Sequence, residues 1–404
     1  MEGNRILLED TPASTATHAS IHAPKKAARF YRPELDVLRL VAFFTVFMCH
    51  ALPFDDAKHA NSGRAWQALQ TFREAGNFGV CLFFLLSSYL ITELLRREVL
   101  ETRSVHLQAF YVRRSLRIWP LYFTVLLAVA CLGLFWPALR MPIPQFLAYL
   151  LFAGNWYDIF GAATHNPLSW LWSISVEEQF YVIWPSMAKL GGLRAIKIGS
   201  LVCLPLALIA IALVDRFQTH PNVAVWLNGV VQFQFFAWGA LLAILLAGRI
   251  PSFSSATRAA MLAGGAVCWL TASGVCHLKK ANFDPGSLRL CIGYELVAVG
   301  CVCFFLAALG ASVAKLPQFC VYLGKVSYGL YVFHELALTA ATAVRQQIEQ
   351  SLALGGRATS LLFVADRTLG LLFTILAASL SYKFLETPFL KLKNKFTFVG
   401  SRPV

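Results

Sequence analysis

The chain reads as a series of apolar runs of about twenty residues separated by short polar stretches. Ten runs stand out, at 36–54, 76–95, 118–136, 168–188, 195–214, 223–247, 255–276, 290–313, 326–344 and 360–382. Each is near the roughly 20 residues that a helix needs to cross the hydrocarbon core of a bilayer. An eleventh stretch, 143–154, is apolar but short, with Pro142 and Pro144 at its start and Asn155 after it. It reads as a re-entrant or surface segment. The pattern predicts an all-α polytopic membrane protein of about ten transmembrane helices plus that segment.

Basic residues give the spans a direction, because cytoplasmic loops carry an excess of lysine and arginine. Lys25, Lys26, Arg29 and Arg32 precede the first run, and the segment Arg96–Arg117 holds six arginines against Glu98 and Glu101. If 143–154 dips in and returns, then Lys189, Arg194, Lys197, Arg249, Arg258, Lys315, Lys325 and the tail Lys391, Lys393 and Lys395 also fall inside. Both termini are then cytoplasmic. Lys279, Lys280 and Arg289 run against this rule. Residues 1–30 are rich in Thr, Ala, Ser and His and are expected to be a disordered tail; 31–390 form the membrane domain and 391–404 a basic tail.

Composition agrees with a membrane protein. Of 404 residues, 57% are hydrophobic and 14% charged, with a mean hydropathy of +0.60. The net charge of +14 does not point to nucleic acid, since the basic residues sit in short loops and form no long basic face. The ten cysteines lie in or at the edges of apolar runs, where they behave as small hydrophobes, and their spacing suggests neither a disulfide framework nor a metal site.

Four polar groups interrupt the apolar runs. In the first run His50 follows Arg39 by eleven positions. That is close to three helical turns, so both face one way, roughly 16 Å apart. Ionisable residues inside a span are costly and are candidates for function. The imidazole of His50 suits a general base near neutrality, against the plainer reading of a histidine satisfied by a backbone carbonyl. The second group is Ser169–Tyr181, where Glu177 and Glu178 fall mid-span about 100° apart; Trp170, Ser173, Glu177 and Tyr181 share a stripe. One glutamate can face a cavity while the other braces a neighbouring helix, and an ion pair with Arg39 is the structural alternative. The third is Ser327–Glu335, with Ser327, Tyr331 and His334 on one face. These can serve substrate or simply bond between helices. The fourth is Tyr111–Pro120, in which Arg113, Arg114 and Arg117 form one stripe. They read either as an anchor to lipid headgroups or as a phosphate clamp.

Taken together, these motifs resemble the integral-membrane acyltransferase type 3 family. The carriers run in order from Leu35-Asp36 with Arg39 and His50, through Phe84–Ile91, Arg113-Arg114-x-x-Arg117 and Trp172–Tyr181, to Ser327-Tyr328-Gly329-x-Tyr331-x-x-His334 and Glu386-x-Pro388. Ser88 stands where the family usually has glycine, as do Val37 and Leu40 beside Asp36 and Arg39. Some members carry a hydrolase-like extracytoplasmic domain after the membrane part; only sixteen residues follow Pro388, so none is expected.

The resemblance implies an O-acyltransferase of the bacterial inner membrane. Acyl-CoA, with acetyl-CoA as the default, is the cytoplasmic co-substrate, and the acceptor is a hydroxyl of a sugar or glycoconjugate. On this reading His50, Glu177, Glu178 and His334 are catalytic, with a glutamate of the pair fixing the tautomer of His50. Arg39, Arg113, Arg114 and Arg117 hold the donor. Trp172, Ser173, Tyr181, Ser327, Tyr328 and Tyr331 contact substrate, and neither a metal nor nucleic acid is involved. The rival class is a transporter or flippase whose path the same polar residues line. Transporters often show internal repeats, and no half-to-half similarity is found between the glutamate span and any other.

Overall fold

The structure is a computed structural model that describes residues 30–52, 63–161, 168–218, 221–278, 285–314, 317–352 and 357–396. The expected tail 1–30 (apart from Phe30), Lys279, Lys280, Lys315 and the stretch 397–404 lie outside the described residues. Among those described, every regular element is helical. The chain runs through α1 (Pro33–Ala51), α2 (Arg64–Ala75), α3 (Gly79–Thr102), α4 (Leu107–Leu132), α5 (Ile143–Leu150) and α6 (Gly154–Phe160). It continues with α7 (Trp172–Phe217), α8 (Pro221–Leu227), α9 (Gly229–Leu246), α10 (Ser255–Gly274) and α11 (Ser287–Ala308). The last are α12 (Gln318–Lys325), α13 (Ser327–Ser351), α14 (Arg357–Ser381) and α15 (Thr387–Lys393).

By length and composition, six helical stretches are able to cross a membrane: Arg64–Thr102, Leu107–Leu132, Ser169–Phe217, Gly229–Leu246, Ser287–Ala308 and Ser360–Lys393. Their outward faces fit that role. The exposed side chains of α14 include Leu369, Leu372, Phe373, Leu376 and Leu380, a continuous apolar stripe that suits lipid rather than water.

Three boundaries differ from the sequence pattern. The runs 168–188 and 195–214 belong to one 46-residue element, α7, broken only at Gly192, whose φ of 61° no ordinary helical residue adopts. The basic stretch 96–117 is not a loop: α3 continues to Thr102 and α4 starts at Leu107. Arg96 and Arg97 ride on α3, and their Nε atoms each lie 2.7 Å from the fully buried Glu93 carboxylate. The stretch 143–154 forms the eight-residue α5, only about 12 Å long, followed by the shorter α6.

Helix α1 is seated by backbone contact. A Cβ added at Gly76 or Gly79 would strike the carbonyl oxygen of Thr45 or Ala42, and one at Gly324 would strike that of Asp36. Two neighbours thus press directly on its main chain. Beside it, α3, α7 and α9 interlock through aromatic rings: Phe236 stacks on Phe84 at 4.6 Å and on Phe180 at 4.2 Å. Ser88 is fully buried here and its Oγ donates to the Phe236 carbonyl at 2.5 Å. The small partner is on the opposite helix, since a Cβ at Gly239 would meet the Leu85 carbonyl and the Ser88 side chain. Gly239→Val is therefore expected to destabilise the protein by about 1–3 kcal/mol or more, because backbone cannot yield as a side chain does. Ser88→Gly should cost less. Thermal unfolding of the two variants in detergent tests this order, and equal melting temperatures would contradict it.

Candidate active site

A cavity of about 190 Å³ opens among α1, α3, α4, α7, α13 and α15. Its wall carries six cationic side chains, Arg32, Arg39, Arg113, Arg114, Arg117 and Lys393, against three carboxylates, Asp36, Glu98 and Glu177. Arg39 is tied to Asp36, one turn earlier on α1, with Nη1 donating to Oδ1 at 2.7 Å. Arg113 reaches Glu98 at 3.0 Å and donates through Nη1 to the Phe396 carbonyl at 2.7 Å. Arg114 lies over the rings of Tyr181 and Phe110, at 5.3 and 5.7 Å from their centroids. Among the described residues neither Arg114 nor Arg117 is ion-paired. Positive charge on this wall therefore exceeds what its own carboxylates neutralise.

The floor of the cavity is polar but committed. Glu177 accepts from Ser87 Oγ at 2.6 Å and from the Tyr181 hydroxyl, and the two hydroxyl oxygens lie 2.8 Å apart. Glu178, on the next position of α7, turns away from the cavity; its Oε2 accepts from Trp119 Nε1 at 3.2 Å and its Oε1 is buried without a partner. Tyr328 lines the cavity and donates to the Ile118 carbonyl at 2.8 Å. Ser327, Ser173 and Tyr331 complete the wall. The Tyr331 hydroxyl meets Ser173 Oγ at 2.6 Å and donates to the Trp170 carbonyl at 2.8 Å. Trp172 is not on this wall. It is buried edge-on between Phe84 and Trp226, so its expected contact with substrate gives way to core packing.

The second group lies about three turns along α1 from Arg39. There Nδ1 of His50 is 2.9 Å from Oε2 of Glu335, and both side chains are about 30% exposed. His334, fully buried, presents its ring edge-on to His50 with centroids 5.2 Å apart. Its Nδ1 lies 2.6 Å from the Tyr331 carbonyl. A carbonyl only accepts, so Nδ1 carries the proton and Nε2 keeps its lone pair; that nitrogen is buried and unpartnered. By the same logic Glu335 holds a proton on Nδ1 of His50 and leaves Nε2 as the basic nitrogen. Nitrogen and oxygen atoms of His50, His334 and Glu335 all lie within 4.8 Å of one another. The two Nδ1 atoms face different oxygens, Glu335 Oε2 for His50 and the Tyr331 carbonyl for His334, so the trio is a close cluster built around the His50–Glu335 contact.

The carboxylate beside His50 is thus Glu335, and the expected pairing with Glu177 or Glu178 is corrected. Those two are held by Ser87, Tyr181 and Trp119. The signal for Glu335 is present in the sequence: it succeeds His334 directly in an apolar run, and two adjacent residues 100° apart can flank one ring from a neighbouring helix. Ser87 sits in the Phe84–Ile91 motif, but its bond to Glu177 depends on how α3 meets α7. Lys393 carries no signal except charge.

The Ser87–Glu177–Tyr181 cluster shares one carboxylate oxygen, so its bonds are coupled. Ser87→Ala and Tyr181→Phe combined should change stability by an amount that departs from the sum of the single changes by about 0.5 kcal/mol or more. A double-mutant cycle read by thermal unfolding would reject the coupling if the two effects simply add.

Comparison with known proteins points the same way as these motifs. Residues 32–383 match the family model described as an acyltransferase domain, that of the acyltransferase 3 family. The peptidoglycan O-acetyltransferase OatA of Listeria monocytogenes is 24% identical over 382 residues, which covers 90% of this chain and 56% of the relative. The O-acetyltransferase OatA of Staphylococcus aureus is 25% identical over 382 residues, covering 89% of this chain and 57% of the relative. The chain therefore spans little more than half the length of these relatives. No solved structure matches it. With most of its length, including α1 and both polar groups borne on it, inside the matched region, the chain belongs to the acyltransferase 3 family.

Proposed function

We propose that the chain is a multi-pass O-acetyltransferase of the bacterial inner membrane, moving an acetyl group from cytoplasmic acetyl-CoA to a hydroxyl of a cell-envelope carbohydrate. One observation carries the reading. Helix α1 bears a cation-rich cavity wall at Arg39 and an imidazole held by a carboxylate at His50, Nδ1 to Oε2 2.9 Å. A polyanionic thioester donor suits the first, and removal of a hydroxyl proton suits the second. Family membership and the O-acetyltransferase names of the relatives favour acyl transfer over transport. The Listeria relative is named for peptidoglycan; for this chain the acceptor class proposed is a sugar hydroxyl.

The topology proposed is ten crossings with both termini cytoplasmic, in one membrane domain over 31–390. Six stretches already qualify by length and composition. Separating the two arms of α7 at Gly192 and adding α1, α10 and α13 brings the number to ten. The arginine end of the bundle then faces the cytoplasm, where acyl-CoA is found, and His50 lies toward the outer surface.

In the proposed reaction Arg113, Arg114 and Arg117 take the donor's phosphates, with Arg39 deeper in the cavity. Ser173, Tyr181, Ser327, Tyr328 and Tyr331 shape the space around the acyl arm. At the other end Nε2 of His50 accepts the proton of the acceptor hydroxyl as its oxygen attacks the thioester carbonyl. The carbon–sulfur bond breaks, and the leaving thiolate recovers the proton from His50. Glu335 keeps Nδ1 protonated and stabilises the imidazolium while it lasts; His334 packs against the same ring.

The test is reconstituted protein supplied with labelled acetyl-CoA and a glycan acceptor, with free CoA as the readout. His50→Ala is expected to lose about 10²–10⁴-fold in kcat, the usual worth of a general base. Glu335→Gln should lose about 10²-fold or more, because an amide cannot stabilise the imidazolium. Retention of activity within a few-fold by either variant would sink the assignment, and acceptor movement without CoA release would favour transport.

A further inference from the structure

Helix α13 brings two adjacent side chains, His334 and Glu335, to the end of α1 where His50 lies. Only Glu335 has a chemical part in the proton transfer proposed above, with Oε2 2.9 Å from His50 Nδ1. His334 is left over. It is fully buried, its Nδ1 donates to the Tyr331 carbonyl at 2.6 Å, and its Nε2 has no hydrogen-bond partner among the described residues. A buried nitrogen with a spare lone pair has given up water for nothing in return, and such a group asks for a ligand.

The surroundings narrow which one. The rings of Phe43, Trp170 and Tyr331 lie 6.2, 6.3 and 5.4 Å from that of His334, centroid to centroid. The Trp170 indole N–H is engaged elsewhere, donating to the Val332 carbonyl at 3.2 Å. The titratable groups gathered with His334 are His50 and Glu335: one nitrogen of each histidine and a carboxylate oxygen all lie within 4.8 Å of one another. Two imidazoles and a carboxylate suit Zn²⁺ and neighbouring transition ions. Bonds of about 2.1 Å in a tetrahedron put the ligand atoms roughly 3.4 Å apart. The trio brackets that spacing, from 2.9 Å between His50 Nδ1 and Glu335 Oε2 up to the 4.8 Å limit. The bond from His334 Nδ1 to a backbone carbonyl is also how a ligating histidine is oriented, with Nε2 left for the metal. His50 and Glu335 are about 30% exposed, which gives an ion a way in.

We propose that His50, His334 and Glu335 form a binding site for a divalent transition ion of the Zn²⁺ type, and that the bound ion holds the enzyme inactive. Binding rests on the geometry alone; inhibition rests on the acyl-transfer reading. A neutral imidazole has one basic nitrogen. An ion on Nε2 of His50 covers the base directly. An ion on Nδ1 sends the ring proton to Nε2, which then has no lone pair for the acceptor hydroxyl. Both arrangements stop proton removal. Without the ion, the His50–Glu335 pair works as described above.

The experiment uses the full chain in detergent, with Co²⁺ as a spectroscopic probe and Zn²⁺ as its competitor. The unaltered protein should show the visible absorption of tetrahedral Co²⁺, removed by Zn²⁺ and untouched by Mg²⁺, which prefers oxygen ligands. Zn²⁺ should also raise the melting temperature, since it binds the folded state. The chain has nine histidines, so variants rather than stoichiometry assign the site. His50→Gln, Glu335→Gln and His334→Gln should each weaken Co²⁺ binding at least tenfold, because even the outer partners of a ligand are worth about 10–100-fold. The first two change partly exposed side chains, which keeps the test open if His334→Gln fails to fold. Absence of the tetrahedral spectrum, or an equal spectrum in His50→Gln and Glu335→Gln, would overturn the site whatever the activity. In the acetyl-CoA assay, Zn²⁺ should inhibit CoA release over the concentrations at which it binds, and a chelator should restore it. Binding without inhibition, or stimulation by Zn²⁺, would overturn the inhibitory role. Tetrahedral Co²⁺ binding in a protein that releases no CoA with or without chelator would support the site and sink the acyl-transfer reading instead.

Discussion

The seating of α1 governs everything functional in this bundle. Arg39 and His50 are fixed relative to each other by helix geometry, so only the placement of the helix as a whole has to be controlled. That control comes from main-chain contact. Gly76 and Gly79 press on the carbonyls of Thr45 and Ala42, and Gly324 presses on that of Asp36. Contact between backbones leaves little room for sliding, whereas side chains could adjust by changing rotamer. A shift of α1 along its axis would move Asp36 and Arg39 relative to the cavity and His50 relative to Glu335 together. The two ends of the proposed reaction are thus coupled by one rigid element.

Electrostatics then separates those ends. At the arginine end, cations outnumber carboxylates on the wall, and Arg114 rests on aromatic rings instead of on an acid. Such a wall carries positive charge that an anion would balance. At the histidine end one imidazole, His50, faces one carboxylate, Glu335, and the remaining imidazole of His334 is buried with its proton on Nδ1. That site is complete in itself and suited to cycling one proton. An excess of fixed charge suits holding a ligand; a balanced pair suits proton transfer, since neither protonation state is left unsupported.

Legibility from the chain alone depends on which relationships are local. The shared face of Arg39 and His50, the divergence of Glu177 from Glu178, and the stripe Ser327–Tyr331–His334 are all read from the 3.6-residue repeat; of these, the structure shows the divergence directly, with Glu177 on the cavity wall and Glu178 off it. Relations between helices are less legible. A mid-span position sets Glu177 and Glu178 at the level of His50, but the depth of a residue depends on where its helix starts, and α7 starts only at Trp172. Helix α13 instead carries His334 and Glu335 up to His50 by way of Tyr331. Trp172 departs from expectation for a related reason: a stripe on a helix does not say which neighbour it meets, and Trp226 of α8 covers it. The break near residue 192 is legible as a boundary between two apolar runs. That the chain stays helical on both sides of a single glycine is not. Lys393 lies beyond all apolar periodicity, and its inward course depends on a π-turn that composition does not announce.

Tyr331 joins these threads. Its hydroxyl, bonded to Ser173 and to the Trp170 carbonyl, belongs to the cavity wall, while its own carbonyl accepts from His334 on the other side. In the proposed reaction it is the residue at which the donor's compartment ends and the proton-transfer group begins. A thioester exposed to water next to a general base would hydrolyse, so an acyltransferase benefits from keeping the base behind a wall until the acceptor is present. The bonds that hold Tyr331 are all to groups on α7, the short turn before it, or its own helix. An acyl arm entering from the arginine end can displace the Ser173 bond alone, because the Trp170 carbonyl and the backbone of α13 still hold the ring's position. In the proposed reaction the wall therefore yields on one side without disturbing His334, and His50 stays beside Glu335 while the donor arrives.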